Sequence, residues 1–243
     1  MTSKERVLAA FEKRDTDRVP VCHISCSAEV ASGLMGREAY VGFGIQQWRE
    51  ATALWNGPDA HAEFVERTYE DTLEMNRLFG NDMYRMIFPR CTTKPTRRID
   101  ANTFLFENGD EDRWKVLRYD PTQEHINILF DYKPESKPTP TFEGLERNLA
   151  AGEKAMERPP VTRTFSDEDY SVRAQRSLGD EVVIRMSGGG VSIPRDEIWL
   201  EASVLRPDLV ARHLDLQVER ARRTVGPLID FGFKILFGGG DFA

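Results

Sequence analysis

Four short apolar runs constrain this chain more than any other feature. They read VPVCHI at residues 19–24, MYRMIF at 83–88, EVVIRM at 181–186 and FKILF at 233–237. Between them lie longer stretches with apolar side chains at three- and four-residue intervals, the period of a helix packed on one face. Strands that are apolar on both faces and joined by helices belong to a parallel sheet covered by its own crossover connections. The spacing predicts helices over 3–13, 37–55, 60–78, 142–156, 166–178, 193–205 and 207–229. Ser3 is the expected cap of the first, and the sequence NGPD breaks the second from the third. Ser166, with Glu168 and Asp169 in the first turn, is the expected start of the fifth, and a proline opens the sixth. Near 99–119 the period falls to two around an Asn-Gly pair, which predicts a β-hairpin between TFLF and WKVLRY. Prolines and charges over 133–140 predict an exposed connection.

The chain has 243 residues, 33 Lys and Arg against 40 Asp and Glu, and a net charge of −7. That balance argues against nonspecific affinity for nucleic-acid phosphates. No run of 18 apolar residues predicts a membrane span, and the start lacks the continuous apolar stretch of a secretory signal, so the expected compartment is the cytoplasm. Three cysteines, an odd number, are expected to be reduced thiols rather than a disulfide framework. Only four or five strands of the barrel kind are present, whereas a closed (β/α)8 barrel needs eight. The sheet is therefore either open and doubly wound, or a barrel cut short.

In order along the chain, SKERVLAAFEKRDTDRVPV, FGNDMYRM, LRPDLVARHLDLQVERA and GFKILFGGGDFA resemble the uroporphyrinogen decarboxylase family, which includes corrinoid-dependent methyltransferases such as methylcobalamin:coenzyme M methyltransferase. The resemblance spans essentially the whole sequence. It implies one (β/α)8 TIM-barrel domain over 1–243 that lacks its C-terminal strands, an N-terminal fragment with the hairpin as an excursion. Such a piece is expected to expose an apolar edge and to associate. The decarboxylases carry an arginine-rich stretch after the first strand that holds their polycarboxylate substrate. Here that place reads CHISCSAEV, with no arginine before Arg37. The resemblance therefore implies first a corrinoid-dependent methyltransferase, moving a methyl group between a corrinoid and a thiol or other small acceptor. Uroporphyrinogen III decarboxylation and a non-catalytic corrinoid- or tetrapyrrole-binding role are the alternatives. Zinc is the implied metal, with its His-X-Cys and Cys ligands expected beyond residue 243; the implied partners are a small-molecule substrate and a corrinoid protein.

The candidate catalytic residues are Asp82 and Asp241. Asp82, in the stretch comparable to one that supplies an aspartate to the decarboxylases, would stabilise developing positive charge; its other reading is a turn residue beside Asn81. Asp241 would stand at the tip of a strand, where barrel enzymes place functional groups, or cap a following helix. His23 is the candidate substrate contact, with zinc ligation alongside Cys26 and plain packing as its other readings. Trp199 either lines a flat tetrapyrrole pocket or fills the core. The triplets at 188–190 and 238–240 fit neither a Walker pattern nor a dinucleotide fingerprint, and read as places where backbone or ligand approaches closely.

Overall fold

The computed structural model describes residues 1–86, 91, 93–109, 113–132, 140–160 and 162–238. The chain divides into two compact units, Met1–Glu135 and Ser136–Ala243.

The first unit opens with α1 (Ser3–Phe11), capped by Thr2 rather than Ser3. The Thr2 hydroxyl accepts from the Glu5 amide while the Glu5 carboxylate accepts from the Thr2 amide, which satisfies two orphan donors reciprocally. The predicted strand over 19–24 is not a ladder strand. Val19 is 80% exposed and Ile24 55%, so the run is not buried as an inner strand would be. The predicted helix over 37–55 starts later, as α3 (Gly44–Asn56), and a helix that the spacing did not predict, α2 (Ala28–Met35), precedes it. Gly36 ends α2 at φ 65°, a left-handed conformation that suits glycine, as a C-terminal cap. The break after α3 is a single residue, Gly57 at φ 127°, and Pro58 then starts α4 (Pro58–Leu78) at a position where a missing N–H costs nothing. A short strand, β1 (Met83–Arg85), follows; residues 87 and 88 of the expected run lie outside the described residues.

The predicted hairpin forms, as part of a larger sheet. Four antiparallel strands, β2 (Arg97–Asp100), β3 (Thr103–Asn108), β4 (Arg113–Asp120) and β5 (His125–Tyr132), lie in the order of the chain. β3 and β4 pair from Thr103 opposite Arg118 to Asn108 opposite Arg113. Sequence reading missed β5 because its period of two is interrupted. Val116 pairs Phe130 and Leu117 pairs Ile128, which leaves Leu129 as a bulge residue. Phe104 and Phe106 turn towards α3 and pack with Ala51, Trp48, Trp55 and Leu117. The Trp48 ring stacks on Tyr119 at 5.7 Å between centroids. The start of α3 presses on the beginning of β5: a Cβ on Gly44 would lie 2.4 Å from the Glu124 carbonyl oxygen.

The second unit contains α5 (Phe142–Met156), α6 (Tyr170–Leu178), β6 (Val183–Ser187), α7 (Glu197–Leu205), α8 (Pro207–Asp230) and β7 (Ile235–Phe237). Asp169, not Ser166, caps α6, accepting from the amides of Ser171 and Val172; Ser166 makes only a local turn bond to the Glu168 amide. α7 begins after Asp196, beyond the proline expected in its first turn. α5, α7 and α8 bury Leu145, Leu149, Trp199, Ala202, Leu209 and Leu216 in one cluster, while β6 and β7 pair in parallel from Arg185 opposite Ile235 to Ser187 opposite Phe237. The architecture is thus mixed α/β with parallel and antiparallel pairing, and the described residues form no closed barrel. Among them no helix is long and apolar enough to cross a membrane. The connection expected over 133–140 lies outside the described residues except for Pro140.

Candidate functional site

Two places in the fold gather the residues singled out by sequence. In the first unit, Asn81 and Asp82 sit in the turn that joins α4 to β1, and both are buried. Asp82 is fully covered and accepts hydrogen bonds from several donors. Arg6 Nη1 reaches Oδ1 at 2.5 Å and Arg18 Nη2 reaches it at 2.8 Å; Arg18 Nη1 at 2.7 Å and the Val21 amide at 2.9 Å reach Oδ2. Burial by itself pushes this carboxyl up, but the bonds from Val21, Ser3, Arg18 and Arg6 outweigh it and hold it below the usual carboxylate range. Arg6, buried on α1, also bonds Asp17 bidentately at 2.6 and 2.9 Å. The carboxylate expected to face a substrate is therefore the hub that ties α1 and the 17–21 segment to the α4–β1 turn. With the two arginines, the Val21 amide and Ser3 all bonded to its two oxygens, it has no lone pair left for a reacting atom.

Asn81 completes the staple. Its Oδ1 accepts from the His23 amide at 2.8 Å, and its Nδ2 donates to the His23 carbonyl at 3.4 Å and to Asn76 Oδ1 at 2.8 Å. The Asp82 amide donates to the Val21 carbonyl at 2.8 Å. Residues 21–23 are thus held extended largely by side chains, which is why the predicted strand lacks a ladder there. The backbone of His23 is fixed while its ring is exposed to solvent, 4.9 Å from the Phe79 ring. That imidazole is a positioned polar group able to contact a ligand.

Cys26 lies apart from this surface. Its Sγ is 3.3 Å from Met75 Sδ, and burial, then the nearby Glu124 carboxylate, pushes its thiol up, so it stays protonated. It lines, with Ser25, Gln46, Thr68, Thr72 and Arg85, a cavity of about 30 Å³, room for a water or two. Among the described residues no three His, Cys, Asp or Glu side chains converge as metal ligands.

In the second unit, the C-terminal ends of β6 and β7 adjoin one another. The Gly188 amide donates to the Phe237 carbonyl at 3.1 Å. A Cβ on Gly238 would lie 3.5 Å from the Gly189 carbonyl oxygen and 4.0 Å from the Gly190 Cα. Gly238 thus shares one rim with the glycines at 188–190. Packing requires part of this: a Cβ on Gly189 would stand 2.9 Å from the Ala221 Cα of α8, and one on Gly188 2.9 Å from the Leu236 Cβ. Arg185 lies 3.7 Å from the centre of the Phe237 ring beside the rim. Asp241, expected at the tip, lies outside the described residues. Trp199 is not at any rim; it is 8% exposed in the α5–α7–α8 core, 4.5 Å from the His213 ring, so its role is packing rather than pocket lining.

Sequence reasoning missed the arginines. Arg6 stands in an amphipathic helix where solvent exposure is the default, and its partner Asp82 is 76 residues away. It also missed a buried carboxylate, Glu50 of α3, which bonds the Cys91 amide at 2.6 Å and His61 Nε2 at 3.2 Å.

No known family model matches the chain, and neither the curated proteins nor the solved structures include one that matches it.

Proposed function

We propose that this chain is a uroporphyrinogen decarboxylase-type enzyme on a (β/α)8 barrel, acting as a corrinoid-dependent methyltransferase in the cytoplasm. The methyl group would pass between a corrinoid, delivered by a corrinoid protein, and a thiol or other small acceptor. The observation that carries the reading is the rim in the second unit. Parallel strands β6 and β7 both end in glycines that lie against each other, and the C-terminal ends of parallel barrel strands are where such folds hold substrates. Backbone without side chains admits the flat face of a large ring closely.

The arginines favour methyl transfer over tetrapyrrole decarboxylation. A polycarboxylate substrate calls for guanidiniums, and those near the start of the chain are engaged internally. Arg6 and Arg18 hold Asp82, Arg14 holds Glu12, and Arg37 holds Asp71 at 2.7 Å and Glu74 at 2.5 Å. Recruiting them would leave Asp82 as an unpaired buried charge, which is costly. In the proposed reaction a thiolate attacks the methyl carbon; the new S–C bond forms as the Co–C bond breaks, with the electron pair left on cobalt. The exposed His23 ring would bond the acceptor or the corrinoid edge. Zinc, where bound, would lower the thiol's pKa.

The test is spectroscopic. Protein mixed with methylcobalamin, zinc and a thiol should lose the methylcobalamin spectrum and yield the thioether. Release of carbon dioxide from uroporphyrinogen with no corrinoid conversion would reverse the assignment, and binding of corrinoid with no turnover of either would leave a carrier role.

A further inference from the structure

The first unit holds a second cavity that the proposed reaction does not use. It lies between α3 and the inner face of the antiparallel sheet and measures about 110 Å³. Its walls are apolar and largely aromatic, supplied by Trp48, Ala51, Phe104, Phe106, Leu117 and Ile126. Phe104 is completely buried and Phe106 nearly so, and the Trp48 ring is wedged 4.7 Å from Phe104 while stacked on Tyr119. The walls are therefore preformed rather than collapsible. Apolar cavities of roughly this size take up a benzene-sized guest, an engineered one of about 150 Å³ being the reference.

Polar groups occupy one side. Among the described residues that line the cavity, Lys115 alone carries a charge. Its Nζ lies 5.2 Å from the centre of the Phe106 ring, and Asp131 stands opposite it across the β4–β5 ladder. Gln47 contributes an amide at the same cavity. Lys115 and Phe106 also line an adjoining groove of about 240 Å³, where Arg113 and Asp131 stand, so the ammonium marks the passage from apolar interior to polar exterior. The Cys91 thiol, pushed up by burial and then by Glu50, is protonated and directed at the Thr93 carbonyl, 3.4 Å away, so it behaves as apolar wall. The buried acid behind it, Glu50, is already bonded by the Cys91 amide and His61 and does not face the guest unpaired.

From this arrangement we infer that the cavity is a binding site for a small monocarboxylate whose hydrocarbon part is about the size of a benzene ring, the ring seated among Trp48, Phe104 and Phe106 and the carboxylate against Lys115 Nζ. A cation at the mouth of an aromatic-lined pocket selects this chemistry over neutral hydrocarbons, through a charge-assisted hydrogen bond, and over amines, through repulsion. The inference does not rest on the methyltransferase reading, since none of these residues belongs to the β6–β7 rim.

Benzoate is the probe. Ligand-observed NMR on the whole chain should give saturable binding with a dissociation constant of roughly millimolar, the range expected for so few atoms. Benzamide, the neutral isostere, should bind about tenfold more weakly, and Lys115→Met should remove that preference, costing benzoate about tenfold while leaving benzamide unchanged. Ala51→Leu, which fills the cavity from α3, should abolish binding of both, provided its circular dichroism matches the parent. Absence of saturable benzoate binding would overturn the inference. So would equal affinity for benzoate and benzamide, or undiminished binding in a folded Ala51→Leu variant, which would put the ligand elsewhere.

Discussion

Asp82→Asn separates an anchoring role for this residue from a catalytic one. The substitution keeps the shape and removes the charge, and the new amide presents a donor where donors already converge. Of the four hydrogen bonds that Arg6, Arg18 and the Val21 amide give the carboxylate, two go to each oxygen, so whichever way the amide sits, at least two donors face its NH2 group. Breaking one side of a buried ion pair costs about 3–5 kcal/mol. The lower end applies here, because the Arg18 side chain is 46% exposed and can turn to water, while Arg6 keeps its bidentate bond to Asp17. A loss of about 3 kcal/mol in a chain of this size lowers the melting midpoint by roughly 6–12 °C. The pH dependence follows from the direction of the shift. A carboxyl held below its ordinary value stabilises the fold above its unfolded pKa of about 3.9, and that contribution is lost as pH falls through the folded value. The gap between parent and variant should therefore be constant from pH 5 to 8, on the order of the loss above, and shrink below about pH 4. Calorimetry or thermal circular dichroism across that range measures it. An unchanged melting midpoint combined with lost methyl transfer would refute the argument and restore Asp82 as a catalytic group.

Two further substitutions test the packing that positions these sites. Trp199→Ala should cost about 3–5 kcal/mol in denaturant unfolding, because it empties the cluster between α5, α7 and α8; a surface pocket residue would cost far less. Gly44→Ala should cost about 1–3 kcal/mol, since its Cβ would meet the Glu124 carbonyl oxygen at 2.4 Å and the His125 Cα at 2.9 Å, backbone that cannot swing aside.

Local chemistry decided much of this protein in advance. The helices Phe142–Met156 and Pro207–Asp230 follow from apolar spacing and from a proline placed where a helix can start, and the β3–β4 hairpin follows from Asn-Gly between alternating strands. Each of these signals acts within a few residues of its cause. What only the tertiary structure decided are pairings across long stretches of chain. Asp82 reads as a turn residue or a functional acid until Arg6 and Arg18 are brought to it from 76 and 64 residues away, and the segment 19–24 reads as a strand until Asn81 and Asp82 take its backbone bonds. Trp199 could have lined a pocket or a core, and the packing of α8 against α7 settled which. β5 escaped notice because a bulge at Leu129 breaks its alternation, and a bulge is defined by the partner strand it slips against. Propensity and periodicity are properties of a residue and its neighbours, whereas the energy of a buried charge depends on which distant donors the fold delivers to it.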